Sequence, residues 1–248
     1  MYTNNEIKQV IFRLDFADKT VSNEIIEKPI FLETVLNIFK TQKPDEVQQT
    51  TEYIQNPSNP SLLNLSQINK ITKVFATIDG SVTLKFSNKF LIISSSSYKN
   101  KEHFSEFTLP VLKKLFEEEQ NCFISRIGLR FTNIFDSTKY CGADFATKYR
   151  SLLTNNKDVN DNLIYSQSII HEEVISEDIR IKLNFGLYNP TMPSPLKNKD
   201  ILVDIDAIHG GAVKSFEDVS RIFERSQSIS ELIFESVITD NLRKKLNK

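Results

Sequence analysis

Cysteine is nearly missing from this chain, with two residues in 248, Cys122 and Cys141. That excludes a disulfide scaffold, and two thiols cannot complete a structural zinc site by themselves. The usage fits a reducing compartment. Charge imbalance is missing too. Lys and Arg number 31 against 32 Asp and Glu, a formal net charge of −1, so no overall field draws the protein to nucleic acid or acidic lipid. No apolar run approaches the roughly 20 residues that span a bilayer. The opening MYTNNEIKQVIFRLDF lacks the basic and then apolar segments of a secretory leader and enters a strand pattern directly. A cytoplasmic location with no membrane partner is the expectation.

The nucleotide-binding and hydrolase signatures GxGxxG, Walker and GxSxG are also absent, and no cofactor is expected. His103, His171 and His209 stand in unrelated contexts, without HExxH or HxH spacing. Neither cysteine has a histidine at motif spacing, which argues against a thiol nucleophile. Cys122 is expected to pack as a small apolar residue.

What the chain does have is alternation. In Cys122 to Phe135, CFISRIGLRFTNIF, period two puts Phe123, Ile127, Leu129 and Phe131 on one face and Arg126, Gly128, Arg130 and Thr132 on the other. That predicts a long strand with one apolar side. Val10, Phe12, Leu14 and Phe16 make an earlier strand of the same kind. Pro29 opens a helix with Ile30, Leu32, Val35, Leu36 and Phe39 at helical spacing. Thr41 to Ser66, polar and holding Pro44, Pro57 and Pro60, reads as a long loop.

Strands follow at Ile71 to Ile78, Ser81 to Phe86 and Phe90 to Ser95, the first two joined by an Asp79-Gly80 hairpin turn. Phe104 to Phe116 reads as an amphipathic helix that Pro110 either kinks or starts. After the central strand come a short helix at Asp144 to Leu153, a polar stretch at Thr154 to Asp161, and strands at Ile169 to Ser176, Ile179 to Leu187 and Ile201 to Ile208. Gly210-Gly211 reads as a connector to the last helix. That helix is expected from Ser215, an N-cap with Asp218 three residues on, and buries Phe216, Val219, Phe223, Ile229, Leu232, Ile233, Val237 and Leu242.

The order strand, helix, three strands, helix thus occurs twice, in residues 1–120 and 121–248. The expected fold class is α+β: a single domain over 1–248 built of two pseudo-repeats. A duplicated β-α-β-β-β-α unit would form one mostly antiparallel curved sheet with helices on one face, saddle-like or helix-grip-like. The first strands of the halves would meet near the middle.

The blocks VIFRLDF, ATIDGSVTLKFSNKFLIISSSSY, RIGLRFTN, ILVDIDAI and FESVITDNLRKKL, in this order and spacing, resemble a sporadically distributed, numbered family of bacterial proteins of similar length and no agreed function. The resemblance implies no catalytic residues. The family's patchy distribution implies a defence or toxin–antitoxin setting.

On the polar face of the expected sheet, period two collects Arg13, Asp15, Thr83, Lys85, Arg126, Arg130, Arg180, Lys182, Asn184, Asp204 and Asp206. One reading is a lattice of cross-strand ion pairs, each contributing about 0.2–1 kcal/mol. The functional reading is a charged surface that seats a partner protein or a small anionic ligand, arginine supplying forked donors. Arg130→Ala should then remove ligand-induced stabilisation and leave the fold intact. Nucleic acid is not favoured, because carboxylates share the face and the aromatic residues belong to the buried side. A metal-dependent phosphodiesterase or nuclease is the competing class, with Asp204 and Asp206 as ligands and His209 as an addition. The favoured reading is a non-enzymatic binding or interaction protein.

Overall fold

The fold follows from where the alternating strands put their apolar sides. In the computed structural model, which describes residues 6–17, 21–56, 59–140, 168–189 and 200–247, the chain begins with β1 (Ile7–Phe16), a 3-10 turn (Asn23–Glu27) and α1 (Pro29–Phe39). Four strands follow, β2 (Thr41–Asn56), β3 (Asn59–Ala76), β4 (Val82–Phe86) and β5 (Phe90–Ser95), and then α2 (Lys101–Glu118). The second part holds β6 (Ile124–Phe135), α3 (Ser137–Tyr140), β7 (Ser168–Ser176), β8 (Ile179–Leu187), β9 (Ile201–Val213), α4 (Phe216–Val237) and α5 (Asp240–Leu246). The expected helix at Asp144 to Leu153, the Thr154 to Asp161 stretch and Cys141 lie outside the described residues.

The nine strands form one sheet in the order β2-β3-β4-β5-β1-β6-β9-β8-β7. Every described pairing is antiparallel, and β1 lies beside β6 at the middle. The α+β class and the antiparallel sheet agree with the alternation.

Val10, Phe12 and Leu14 of β1 are fully buried and share a core with Phe31 and Val35 of α1, Leu112 and Leu115 of α2, and Val219 and Phe223 of α4. The Phe12 and Phe223 rings meet edge-on, centroids 5.1 Å apart. A second cluster joins Ile181 of β8 and Val203 and Ile205 of β9 to Val237 of α4 and Leu242 of α5. Withdrawing one such side chain from water contributes about 1.5–3 kcal/mol, several times an exposed ion pair. The helix-covered face therefore holds the fold, and the open face is free to carry polar groups.

Local chemistry fixes several boundaries. Asn100 caps α2 by accepting from the His103 amide at 2.7 Å. The α2 start stands nine residues ahead of Pro110, which lies inside the helix. Ser215 accepts from the Asp218 amide at 3.1 Å and donates to the Asp218 carboxylate at 2.8 Å, closing the expected cap. In the β3–β4 turn, Gly80 takes a positive φ of 71°, and Asp79 accepts from Thr77 and Ser81.

Four expectations are corrected. The stretch Thr41 to Ser66 is no loop: β2 and β3 form a hairpin, and from Asn59 to Thr72 β3 pairs with β2 alone. Residues Gln42 to Gln49 are all exposed, so no buried face imposes alternation on the sequence. Pro44, with no N–H to give, falls at an interruption between Lys43 and Glu46 on this edge strand.

Gly210 and Gly211 belong to β9, not to a connector; two β9 residues, Gly211 and Ala212, face one on β6, Ser125. Against β1, Ser125 is an extra residue on β6, between the pairs Asp15–Arg126 and Phe16–Ile124, and this shifts the phase so that Ile124 rather than Phe123 enters the core. Finally, the last helix is two helices. Thr239 caps α5 by accepting from the Leu242 amide at 3.2 Å, and Leu232 is 70% exposed while Ile222 is buried.

Candidate functional site

Register converts the open face into rows that cross the strands. One row runs Gln9, Thr132, Asp204, Asn184, His171 from β1 through β6, β9 and β8 to β7. The next runs Ile11, Arg130, Asp206, Lys182, Glu173, and a third runs Arg13, Gly128, Ile208, Arg180, Ile175. Asp15 stands opposite Arg126, which faces Gly210. Arg126, Arg130, Asp204 and Asp206 therefore share one surface, as the alternation expects.

Asp204 is the organising group of the first row. Its side chain is 2% exposed, and an isolated carboxylate there would be costly. It accepts from Arg130 Nε at 2.7 Å and Nη2 at 2.8 Å, a forked pair. Thr132 Oγ1 donates at 3.1 Å and Asn184 Nδ2 at 2.8 Å. Because the Asn184 amide nitrogen is committed to Asp204, its Oδ1 must accept the 2.6 Å bond to His171, which assigns the proton to His171 Nδ1. The bond to Asp204 pushes the Arg130 guanidinium pKa still higher.

Asp206, two residues on, differs. No hydrogen bond or ion pair reaches its carboxylate among the described residues, although Arg126, Arg130 and Lys182 all act on it electrostatically. Arg130 is turned to Asp204, and Arg126 donates to Asp15 at 3.2 Å. Burial pushes the Asp206 pKa above the ordinary 3.8, and the charge on Asp204 adds to the rise. Gly128 matters here for space: a Cβ on it would sit 3.6 Å from Arg126 Nη2 and 4.0 Å from Asp206 Oδ1, so both groups lean over bare backbone. Lys182 is exposed and makes no ion pair among the described residues.

The remaining sequence candidates are partly dispersed. Arg13 Nε donates to Asp15 at 2.7 Å and its guanidinium lies over Phe90, 5.3 Å from the ring centroid. Lys85 stands apart, beyond Ile92 and paired with Glu46 of β2 at 2.6 Å. The open face is thus charged over β6, β9 and β8 and carries apolar Ile11 and Ile92 over β1 and β5.

The metal set Asp204, Asp206, His209 is not assembled. His209 is an odd-numbered neighbour on β9 and points to the helix side, where Nδ1 lies 3.1 Å from Asp178. Both Asp204 oxygens are occupied by donors, and among the described residues no three His, Cys, Asp or Glu side chains converge. Cys122 is buried, and burial, with Glu119 adding, pushes its thiol up to about 12, a packing role rather than a nucleophilic one.

One feature escaped the sequence reading. A cavity of about 530 Å³ lies on the helix side between the two core clusters, walled by Tyr98, Phe131, Ile205, Phe234, Gln227 and Ser230 among others. Its signal was in α4, where Ser226, Gln227 and Ser230 interrupt the apolar stripe at buried positions. Compared with known proteins, the chain matches no family model and no curated protein.

Proposed function

We propose that the protein is a non-enzymatic binding protein whose open sheet face seats an anionic group of a ligand or partner protein at the row Arg130, Asp206, Lys182. The observation that carries this reading is the Asp206 carboxylate, without a partner among the described residues, set among three cationic side chains. A structural ion-pair lattice would have closed on it, as it closes on Asp204. Here the two arginines are held off by other commitments, and burial raises the pKa of the carboxyl. An incoming anion gains from Lys182 and the outer edges of Arg126 and Arg130, and it favours protonation of Asp206 further. Binding is thereby linked to uptake of a proton.

Inorganic sulfate, a dianion throughout pH 5–7.5, is the probe. Titration calorimetry at low salt should show affinity rising as pH falls. Lys182→Met should weaken binding about fivefold, the loss of one screened charge contact, and Asp206→Asn should tighten it at neutral pH. Binding indifferent to both substitutions would refute the site.

We also propose that the sheet is a duplicated unit. In support, β1 and β6 adjoin at the centre, each followed outward by the last strand of its own half, β5 and β9, then β4 and β8, then β3 and β7. The first half carries β2 in addition. The defence or toxin–antitoxin setting rests on the resemblance alone, and a survey of neighbouring genes tests it.

A further inference from the structure

The two edges of the nine-stranded sheet differ. Among the described residues β2 pairs with β3 alone and β7 with β8 alone, so each leaves one row of backbone groups with no strand beside it. Such a row is a template for another strand, and proteins blunt it with proline, lysine and bulges. The β2 edge carries Lys43 and Pro44 at a break in its register. The β7 edge, SIIHEEVIS, has no proline, lysine or glycine, and it pairs with β8 over its whole length without a bulge. Val174 and Ile175, on opposite faces of it, are 46% and 68% exposed.

The strand that fits this edge best is β7 itself. A second copy laid antiparallel by a two-fold axis normal to the sheet keeps both open faces on one side, so each residue meets a residue of its own face. Registers are then limited to steps of two. Centred on Glu172, the open face sets His171 against Glu173 and Ile169 against Ile175, and the helix side sets Ile170 against Val174, every pair occurring on both sides of the axis. Glu172 alone meets its like, at the axis. Centring on His171 would set Ile169 against Glu173 and Ile170 against Glu172. Centring on Glu173 would set Glu172 against Val174 and His171 against Ile175. Only the first register gives each apolar residue an apolar partner and the imidazole a carboxylate. With its Nδ1 proton held by Asn184, His171 reaches that carboxylate in its cationic form, through Nε2.

We infer that two copies of this chain associate edge to edge through β7, in the register centred on Glu172, into one continuous antiparallel sheet. The row Arg130, Asp206, Lys182, Glu173 of each copy then runs on into the row His171, Asn184, Asp204 of the other. A seam of one strand pair buries little surface, so the dimer is weak, with a Kd of about micromolar order. The seam leaves Asp206 uncovered and stands apart from anion binding there.

Sedimentation equilibrium of the full chain at about pH 6, over roughly 1–300 µM, tests it. The wild type should pass from monomer to dimer in that range. Ile175→Lys changes a side chain that is already exposed; it should weaken association about tenfold, with circular dichroism checking that the sheet is intact. Glu172→Gln removes the clash at the axis and should tighten association about threefold. Glu172→Lys, mixed one to one with the wild type, should form a heterodimer tighter than either homodimer. A monomer at every concentration would overturn the inference and leave the edge to a strand of another protein. A dimer indifferent to Ile175→Lys, or one that Glu172→Gln weakens, would put the contact elsewhere and overturn it too.

Discussion

Two neighbouring rows of one sheet treat the same side chain in opposite ways. In the row through Asp204 the carboxylate is buried and takes four donors, from Arg130, Thr132 and Asn184. In the row through Asp206, two residues along β9, the carboxylate is half buried and takes none among the described residues. The contrast recurs through the thickness of the sheet, where the Asn133 amide donates to the Val203 carbonyl and the Gln227 amide has no partner among the described residues. A satisfied buried polar group explains itself, since its partners offset the cost of desolvation. An unsatisfied one opposes folding, and we read it as kept for a partner outside the chain.

The largest expected effect comes from breaking the satisfied row. Arg130→Met leaves Asp204 buried and uncompensated and should cost about 3 kcal/mol in urea unfolding, the low end for such a break because Arg130 is half exposed. On this geometry Arg130→Ala, expected from the sequence to leave the fold intact, should cost stability as well. Adding Asp204→Asn to Arg130→Met should restore part of that loss, and a strictly additive pair would show that the two do not act as a unit.

Next in size is Asp206→Asn, with the opposite sign. Asp206 has a raised folded-state pKa, so its contribution to stability is full below the ordinary 3.8 and is lost as pH rises through the raised value. At neutral pH the ionised carboxylate is therefore a net cost, and the substitution should raise the urea midpoint. The gain should fade as pH drops towards 3.8. A stability loss at neutral pH would put Asp206 in the same class as Asp204.

Smallest is a control outside both rows. Lys40 ends α1 with a positive φ of 64°. Lys40→Gly relieves about 1 kcal/mol of left-handed strain but loosens the unfolded chain by nearly as much, so a gain of only a few tenths is expected in the same assay. A shift as large as that of Arg130→Met would mean that the assay reports something other than local partners.

Much of this contrast was legible in the sequence, because alternation is written by burial. The open-face positions of Arg13, Asp15, Arg126, Arg130, Asp204 and Asp206 follow from the apolar residues between them, which must face the helices. The partners of each charge do not follow. Whether Arg130 turns to Asp204 or to Asp206, which stands directly opposite it, depends on Thr132 and Asn184 completing one carboxylate. The bulge at Ile124/Arg126 was hidden because Phe123 and Ile124 are equally apolar. The β2–β3 hairpin was hidden because the exposed run Gln42 to Gln49 has no reason to alternate. The cavity was half visible: Ser226, Gln227 and Ser230 broke the α4 stripe, but only the opposing strands show that they break it at a wall.

The most direct measurement is proton uptake on sulfate binding, read by calorimetry in two buffers of different ionisation enthalpy. If the open face works through Asp206, the wild type takes up a fraction of a proton per sulfate between pH 5 and neutrality, and Asp206→Asn takes up none while binding more tightly. Equal uptake in the two proteins, or tighter binding by the wild type, would contradict the account.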